Sequence, residues 1–147
     1  MTIELQMLAL SIVLGLVHII LNASTATTQY GLDWNTGPRD TPMPPLAGTA
    51  GRLQRALHNF IESFALFAAA VLAAHAAGRH NALTHWGVQL YFWGRVAYLP
   101  LYAYGVPKVR SMAWGVAALG IVLILIALIS RPRRGHVSWL AVTCDRP

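Results

Sequence analysis

The chain has 147 residues, of which 56% are hydrophobic and only 11% charged, with a mean hydropathy of +0.50. That balance excludes an ordinary soluble domain and a disordered segment, and it points to an all-α protein that crosses a membrane several times. A net charge of +6 and an isoelectric point near 10.3 would suggest nucleic acid in a soluble protein. Here the basic residues cluster at the ends of apolar stretches, so membrane lipids with anionic headgroups, or an anionic ligand, are the expected partners and nucleic acid is not.

Four stretches reach the roughly 20 apolar residues needed to cross a hydrocarbon core. The first, Leu5 to Leu21, lacks a basic n-region, and its apolar run is longer than a signal peptide requires, so it reads as a retained span. From Ala23 to Gly51 follows a long loop rich in Thr, Gly and Pro. Its run Gly37-Pro38-Arg39-Asp40-Thr41-Pro42-Met43-Pro44-Pro45 favours extended polyproline geometry over helix, and the loop is expected to cap the polar start of the next span. The second span, Ala56 to Ala77, carries Ala68, Ala69, Ala70, Ala73, Ala74, Ala76 and Ala77; such small residues let helices approach closely in lipid and mark it as an inner helix.

The third span, Leu83 to Tyr104, contains Pro100, where a kink is expected. The fourth, Met112 to Ile129, has no charge and is expected to face lipid. Short loops near Arg79 to Ala82 and Gly105 to Ser111 make consecutive spans antiparallel neighbours. Residues 1–147 thus read as one domain, an integral membrane four-helix bundle. Arg131, Arg133 and Arg134 follow the last span and read as headgroup contacts, while Trp34, Trp86 and Trp139 read as interfacial anchors. Lys and Arg are nearly balanced between the two sides, so charge bias does not orient the chain. Cys144 is the one cysteine and has no internal disulfide partner.

Arg52, Arg55, Asn59 and Glu62 interrupt this apolar pattern. At about 100° per residue they fall within roughly an 80° arc of one helix. An ionised carboxylate within a span costs about 2.5–3.5 kcal/mol on insertion scales, so Glu62 calls for a partner or a ligand. In the third span Tyr91, Arg95, Tyr98 and Tyr102 recur at helical spacing and share one stripe. Arg95 and Glu62 both lie roughly 15 Å from the same membrane face at about 1.5 Å of rise per residue. They can pair, within one subunit or between two, and such a pair alone serves packing as readily as chemistry. Asn59, Tyr98, Tyr102, Arg52, Arg55 and Arg110 add more polar groups than one pair requires, which favours a pocket for a polar, anionic ligand near one membrane face. His58 sits in the polar run but turns away from its face. The remaining histidines, His18, His75, His80, His85 and His136, have no ligand spacing, so metal binding has no support.

At Arg55-Ala56-Leu57-His58-Asn59-Phe60-Ile61-Glu62, followed by Ser63-Phe64-Ala65-Leu66-Phe67, the chain resembles the MAPEG family, the membrane-associated proteins of eicosanoid and glutathione metabolism. Arg95, Tyr98, Tyr102, Arg110 and Trp114 are similar to the third helix and following turn of its bacterial members. The loop Gly37-Pro38-Arg39-Asp40 leading to Gly51-Arg52 also looks prokaryotic. The resemblance covers essentially the whole chain and implies a homotrimer in a bacterial cell membrane, with glutathione bound between subunits. It implies that Arg55, Asn59 and Glu62 hold glutathione from one subunit and that Arg95, Tyr98, Tyr102 and Arg110 complete the site from the next, with Arg52 counted among the binding residues. Arg110 would stabilise the thiolate and so be catalytic. The chain departs from the family at Ala65, where a proline is common, and at Ser63, where some enzymes carry tyrosine, so a weaker bend in the second span is expected.

A glutathione transferase or lipid-hydroperoxide peroxidase acting on lipophilic small molecules is the first functional reading. A non-catalytic lipid-binding or scaffold protein of the same fold is the second, and a small transporter lined by Glu62 and Arg95 is the third. Retention of Arg55, Asn59, Glu62 and Arg110 favours the first, because a purely apolar groove needs none of them.

Overall fold

A computed structural model describes residues 1–130. Arg131, Arg133, Arg134, His136, Trp139, Cys144 and Arg146 lie outside the described residues. Four long helices and one short one follow in order: α1 Ile3–Tyr30, α2 Leu32–Thr36, α3 Gly48–Ala76, α4 Ala82–Tyr104 and α5 Pro107–Ile129. Three of them, α1, α3 and α5, are long and apolar enough to cross a membrane. The third expected span corresponds to α4, which has the length but falls short in hydropathy, since His85, Gln89 and Arg95 lie within it.

The first helix runs well past the expected end at Leu21. Ser24, Thr25 and Thr27 each donate a hydroxyl to the carbonyl four residues back, at 2.7–2.8 Å, which carries the helix through its polar turns without exposing bare backbone. The long loop is therefore shorter than expected. It reduces to α2 and the irregular stretch 37–47, where the prolines exclude helix. Tyr30 donates its hydroxyl to the Pro44 carbonyl and the Ala47 amide donates to Gln29 Oε1 at 3.1 Å, folding this stretch back onto the end of α1.

Helix α3 packs against α1, α4 and α5, and α4 also touches α1. The core lies where these helices meet, with Phe67, Val71, Val88, Tyr91, Ala117 and Ile124 almost wholly buried. Phe67 stacks on Tyr91 with ring centroids 3.8 Å apart. The alanines of α3 divide, Ala70 and Ala74 being buried and Ala69 and Ala73 exposed. The closest helix approach lies elsewhere, between α4 and α5. A Cβ on Gly120 would fall 2.5 Å from the Gly87 carbonyl oxygen and 2.7 Å from the Tyr91 nitrogen, and one on Gly94 would fall 3.0 Å from the Ala113 carbonyl oxygen. Backbones thus touch at Gly87, Gly94 and Gly120, as small residues permit in lipid. The opposite face of α5 is exposed and apolar, with Val116, Leu119, Val122, Leu125 and Ile126 outward. Helix α4 continues through Pro100 to Tyr104.

At the end away from Arg52, Arg55 and Arg110, a polar clasp joins α1 to α4. Asn81 caps α4 by accepting from the Leu83 and Thr84 amides at 2.9 and 3.1 Å. Thr84, itself fully buried, donates to Glu4 Oε1 at 2.8 Å, and His80 Nδ1 lies 3.5 Å from the same oxygen. Glu4 sits in the first turn of α1 and meets the first turn of α4, where two helix N-termini favour a carboxylate.

The α4–α5 contact leaves no room for a side chain at Gly120, whereas a Cβ on Gly115 meets nothing within 4 Å. Gly120→Ala should therefore destabilise the protein by about 1–3 kcal/mol, the usual cost of overpacking. Gly115→Ala should leave the melting temperature in detergent unchanged. Equal melting temperatures for the two variants would contradict this packing.

Candidate functional site

Three helices bring the polar side chains together at one end of the bundle. On α3, Asn59 is half-buried and turned inward, while Arg55 and Glu62 are exposed. On α4, Arg95 is 1% exposed, and its Nη1 donates to Asn59 Oδ1 at 2.7 Å. The Arg95 guanidinium also lies over two phenol rings, 5.7 Å from the Tyr91 centroid and 5.3 Å from that of Tyr98. Its Nε has no hydrogen-bond partner among the described residues.

Asn59, rather than Glu62, is thus the partner of Arg95 within the chain. Glu62 and Arg95 match in depth along their helices, but depth does not fix azimuth: Asn59 and Glu62 stand about 60° apart around α3, and Asn59 is the one that faces α4. Among the described residues no Lys or Arg lies within 4 Å of a carboxylate; the one basic side chain that does is His80, 3.5 Å from Glu4. Arg95 therefore carries a buried positive charge that an amide and aromatic faces solvate without neutralising it.

Beside this cluster lies a cavity of about 220 Å³ lined by Asn59, Tyr98, Tyr102, Arg110, Ser111 and Trp114. Tyr98 and Tyr102 are one turn apart on α4, with ring centroids 5.3 Å apart. Arg110 was expected in a loop; it lies in the first turns of α5, which starts at Pro107. Its guanidinium sits 4.5 Å above the Tyr102 ring. A proline in the first helical position has its φ preset for helix, so α5 begins earlier than its apolar run does. Among the described residues, Arg110 is the one formal charge in the cavity wall and no carboxylate lines it.

One chain places Asn59, Arg95, Tyr98, Tyr102 and Arg110 together. Arg55 and Glu62 remain on the outward face of α3. Arg52 is engaged elsewhere: its Nε donates to the Ala103 carbonyl at 2.9 Å and its Nη2 to Thr49 Oγ1 at 2.9 Å.

Three contributors carried no sequence signal. Ser111 joins the cavity wall only because α5 starts early. Ser63 Oγ lies 3.3 Å from the Tyr91 hydroxyl and braces the ring under Arg95. His18, 2% exposed, stacks on Phe60 at 4.6 Å and hydrogen-bonds through Nδ1 to the Leu14 carbonyl at 2.9 Å, backing α3 beside Asn59.

A second, apolar groove of about 190 Å³ runs between α1 and α3, walled by Ile12, Leu16, Ile19, Leu57, Phe60 and Phe64 among others. Polar and apolar recesses thus share α3.

No curated protein and no solved structure matches the chain. A family model, described as the MAPEG family, matches residues 7–130. With three helices long and apolar enough to span a bilayer and a family match over nearly its whole length, the chain is a multi-pass integral membrane protein and belongs to the MAPEG family.

Proposed function

We propose that this protein is a four-span membrane bundle that assembles as a homotrimer, binds glutathione, and uses it as a transferase toward lipophilic electrophiles, as a peroxidase toward lipid hydroperoxides, or both. The observation that carries this reading is the buried Arg95, bonded to Asn59 and, among the described residues, to no carboxylate, beside a cavity into whose wall Arg110 brings a second positive charge. Such a site favours an anion with hydrogen-bonding capacity. Glutathione has two carboxylates, an ammonium and a thiol, and glutathione use is general in the family.

The cavity is smaller than the roughly 300–1,000 Å³ typical of small-molecule sites. A neighbouring subunit enlarges it in this reading, and the exposed Arg55 and Glu62 then face the ligand: Arg55 toward a carboxylate, Glu62 toward the ammonium. Arg110 holds the sulfur as thiolate. A free thiol of this kind has a pKa near 8.5, and lowering it by about two units takes roughly 2.7 kcal/mol of preferential thiolate stabilisation. One partly desolvated guanidinium is of that order.

The thiolate attacks the electrophilic carbon of a lipophilic acceptor and forms a thioether, expelling halide from an aryl halide or, on an activated alkene, leaving the adjacent carbon to take a proton from water. With a lipid hydroperoxide, two glutathiones give one disulfide, the lipid alcohol and water. The apolar groove between α1 and α3 suits the acyl part of either substrate.

Adding glutathione to the detergent-solubilised protein at neutral pH should produce the ultraviolet absorbance of a thiolate, and a generic aryl halide acceptor should turn over. Arg110→Ala should lower kcat by about 10²-fold, the usual loss when one charge-stabilising donor is removed. An unchanged kcat would contradict the role given to Arg110, and absence of both thiolate and turnover in the native protein would contradict the enzymatic reading. Glu62→Gln should weaken glutathione binding by about tenfold or more, as loss of a charge-assisted hydrogen bond implies. Because Glu62 is exposed in the single chain, the melting temperature without ligand should not move; a large drop would mark Glu62 as structural instead.

A further inference from the structure

We propose that Arg52 is a positioning residue for Arg110, acting through the turn between α4 and α5 rather than by contact with glutathione. This rests on the reading of Arg110 as the group beside the thiolate. Helix α4 ends in a tight turn in which the Val106 amide donates to the Leu101 carbonyl at 3.0 Å and the Gly105 amide to the Tyr102 carbonyl at 3.1 Å. Gly105 has φ 77°, the left-handed conformation that glycine adopts without strain. These bonds leave the Ala103 carbonyl, one of the last four of the helix, without an amide donor from the turn. Arg52 supplies the donor from another helix, with its Nε 2.9 Å away.

The guanidinium is held on a second side by Thr49 Oγ1 at 2.9 Å. Its stem also packs on the turn, since a Cβ on Gly105 would lie 3.6 Å from Arg52 Cδ. A cation at this place meets the negative end of the α4 dipole. Arg52 does not line the polar cavity.

The consequence falls on Arg110. Only Gly105 and Val106 separate α4 from α5, and Pro107 starts the new helix with its φ already set. The position of Arg110 over Tyr102, 4.5 Å from the ring, therefore follows from the geometry of this two-residue turn. Thr49 and Arg52 on α3 hold the turn from outside. Loss of that hold lets Arg110 shift relative to Tyr102 while Asn59, Arg95 and Tyr98, which sit deeper, keep their places.

The test pairs kinetics with amide hydrogen exchange on the full chain in detergent. Arg52→Met should lower kcat about tenfold, a modest loss on the scale on which a 1 Å misplacement costs about 10²-fold. Its glutathione Kd should stay within about threefold, because the contacts that hold the carboxylates and the ammonium are untouched and only the hold on the sulfur loosens. Exchange should quicken across 105–111 and stay unchanged in α1. Arg52→Lys, which keeps the charge and one donor, should recover part of kcat. Should Arg52→Met fail to fold, Thr49→Val, which removes one anchor, should show the same pattern more weakly. A Kd that rises in step with the fall in kcat would overturn the proposal and make Arg52 a ligand contact, and unchanged exchange across 105–111 would overturn it as well. If the native protein binds no glutathione, the functional reading fails by itself, and exchange across the turn still decides whether Arg52 holds it.

Discussion

A guanidinium buried between helices, with no carboxylate against it among the described residues, is the constraint to which the polar half of this protein answers. Arg95 is 1% exposed, and a charge at such depth costs about 2.5–3.5 kcal/mol on insertion scales unless its surroundings solvate it. Asn59 supplies an oxygen at 2.7 Å, and the faces of Tyr91 and Tyr98 supply the rest. The arrangement is solvation without neutralisation. It keeps a positive charge behind Asn59 and Tyr98, two residues of the cavity wall, to which Arg110 adds its own. A carboxylate closed on Arg95 would leave the site far less to offer an anion.

The apolar scaffold keeps that arrangement in place. Gly87, Gly94 and Gly120 let α4 and α5 touch backbone to backbone, so the stripe of Tyr98 and Tyr102 cannot slide against the start of α5. The two-residue turn then sets Arg110 over Tyr102. At the other end, Glu4 and Thr84 tie α1 to α4. The long α4 is thereby fixed near both ends, and its middle carries Arg95.

Much of this was legible in the sequence, and the misses have identifiable causes. Hydropathy located four helices, and helical spacing put Tyr91, Arg95, Tyr98 and Tyr102 on one stripe. Depth matching placed Glu62 level with Arg95, yet rise along a helix says nothing of rotation about it, and rotation brings Asn59 to Arg95 instead. Hydropathy also ended α1 early, because it does not register hydroxyls that bond back to the helix at Ser24, Thr25 and Thr27. The alanine-rich second span drew attention from the glycines of α4 and α5, whose importance depends on which helices adjoin. The bond between Glu4 and Thr84 spans most of the chain, and no local pattern announces it. Arg52 was grouped with the ligand-binding residues by its place on the helical arc, whereas the end of a neighbouring helix claims it.

Calorimetric titration of the detergent-solubilised protein with glutathione, and with the same tripeptide esterified at both carboxylates, bears most directly on the cationic site. Glutathione should bind, with an affinity that falls as salt is raised, because part of the attraction is between opposite charges. The diester, of similar shape but without anionic charge, should bind at least about tenfold more weakly, the loss of one charge-assisted contact. Equal affinities for the two, or no heat from either, would contradict the view that a buried, unneutralised arginine defines what this protein binds.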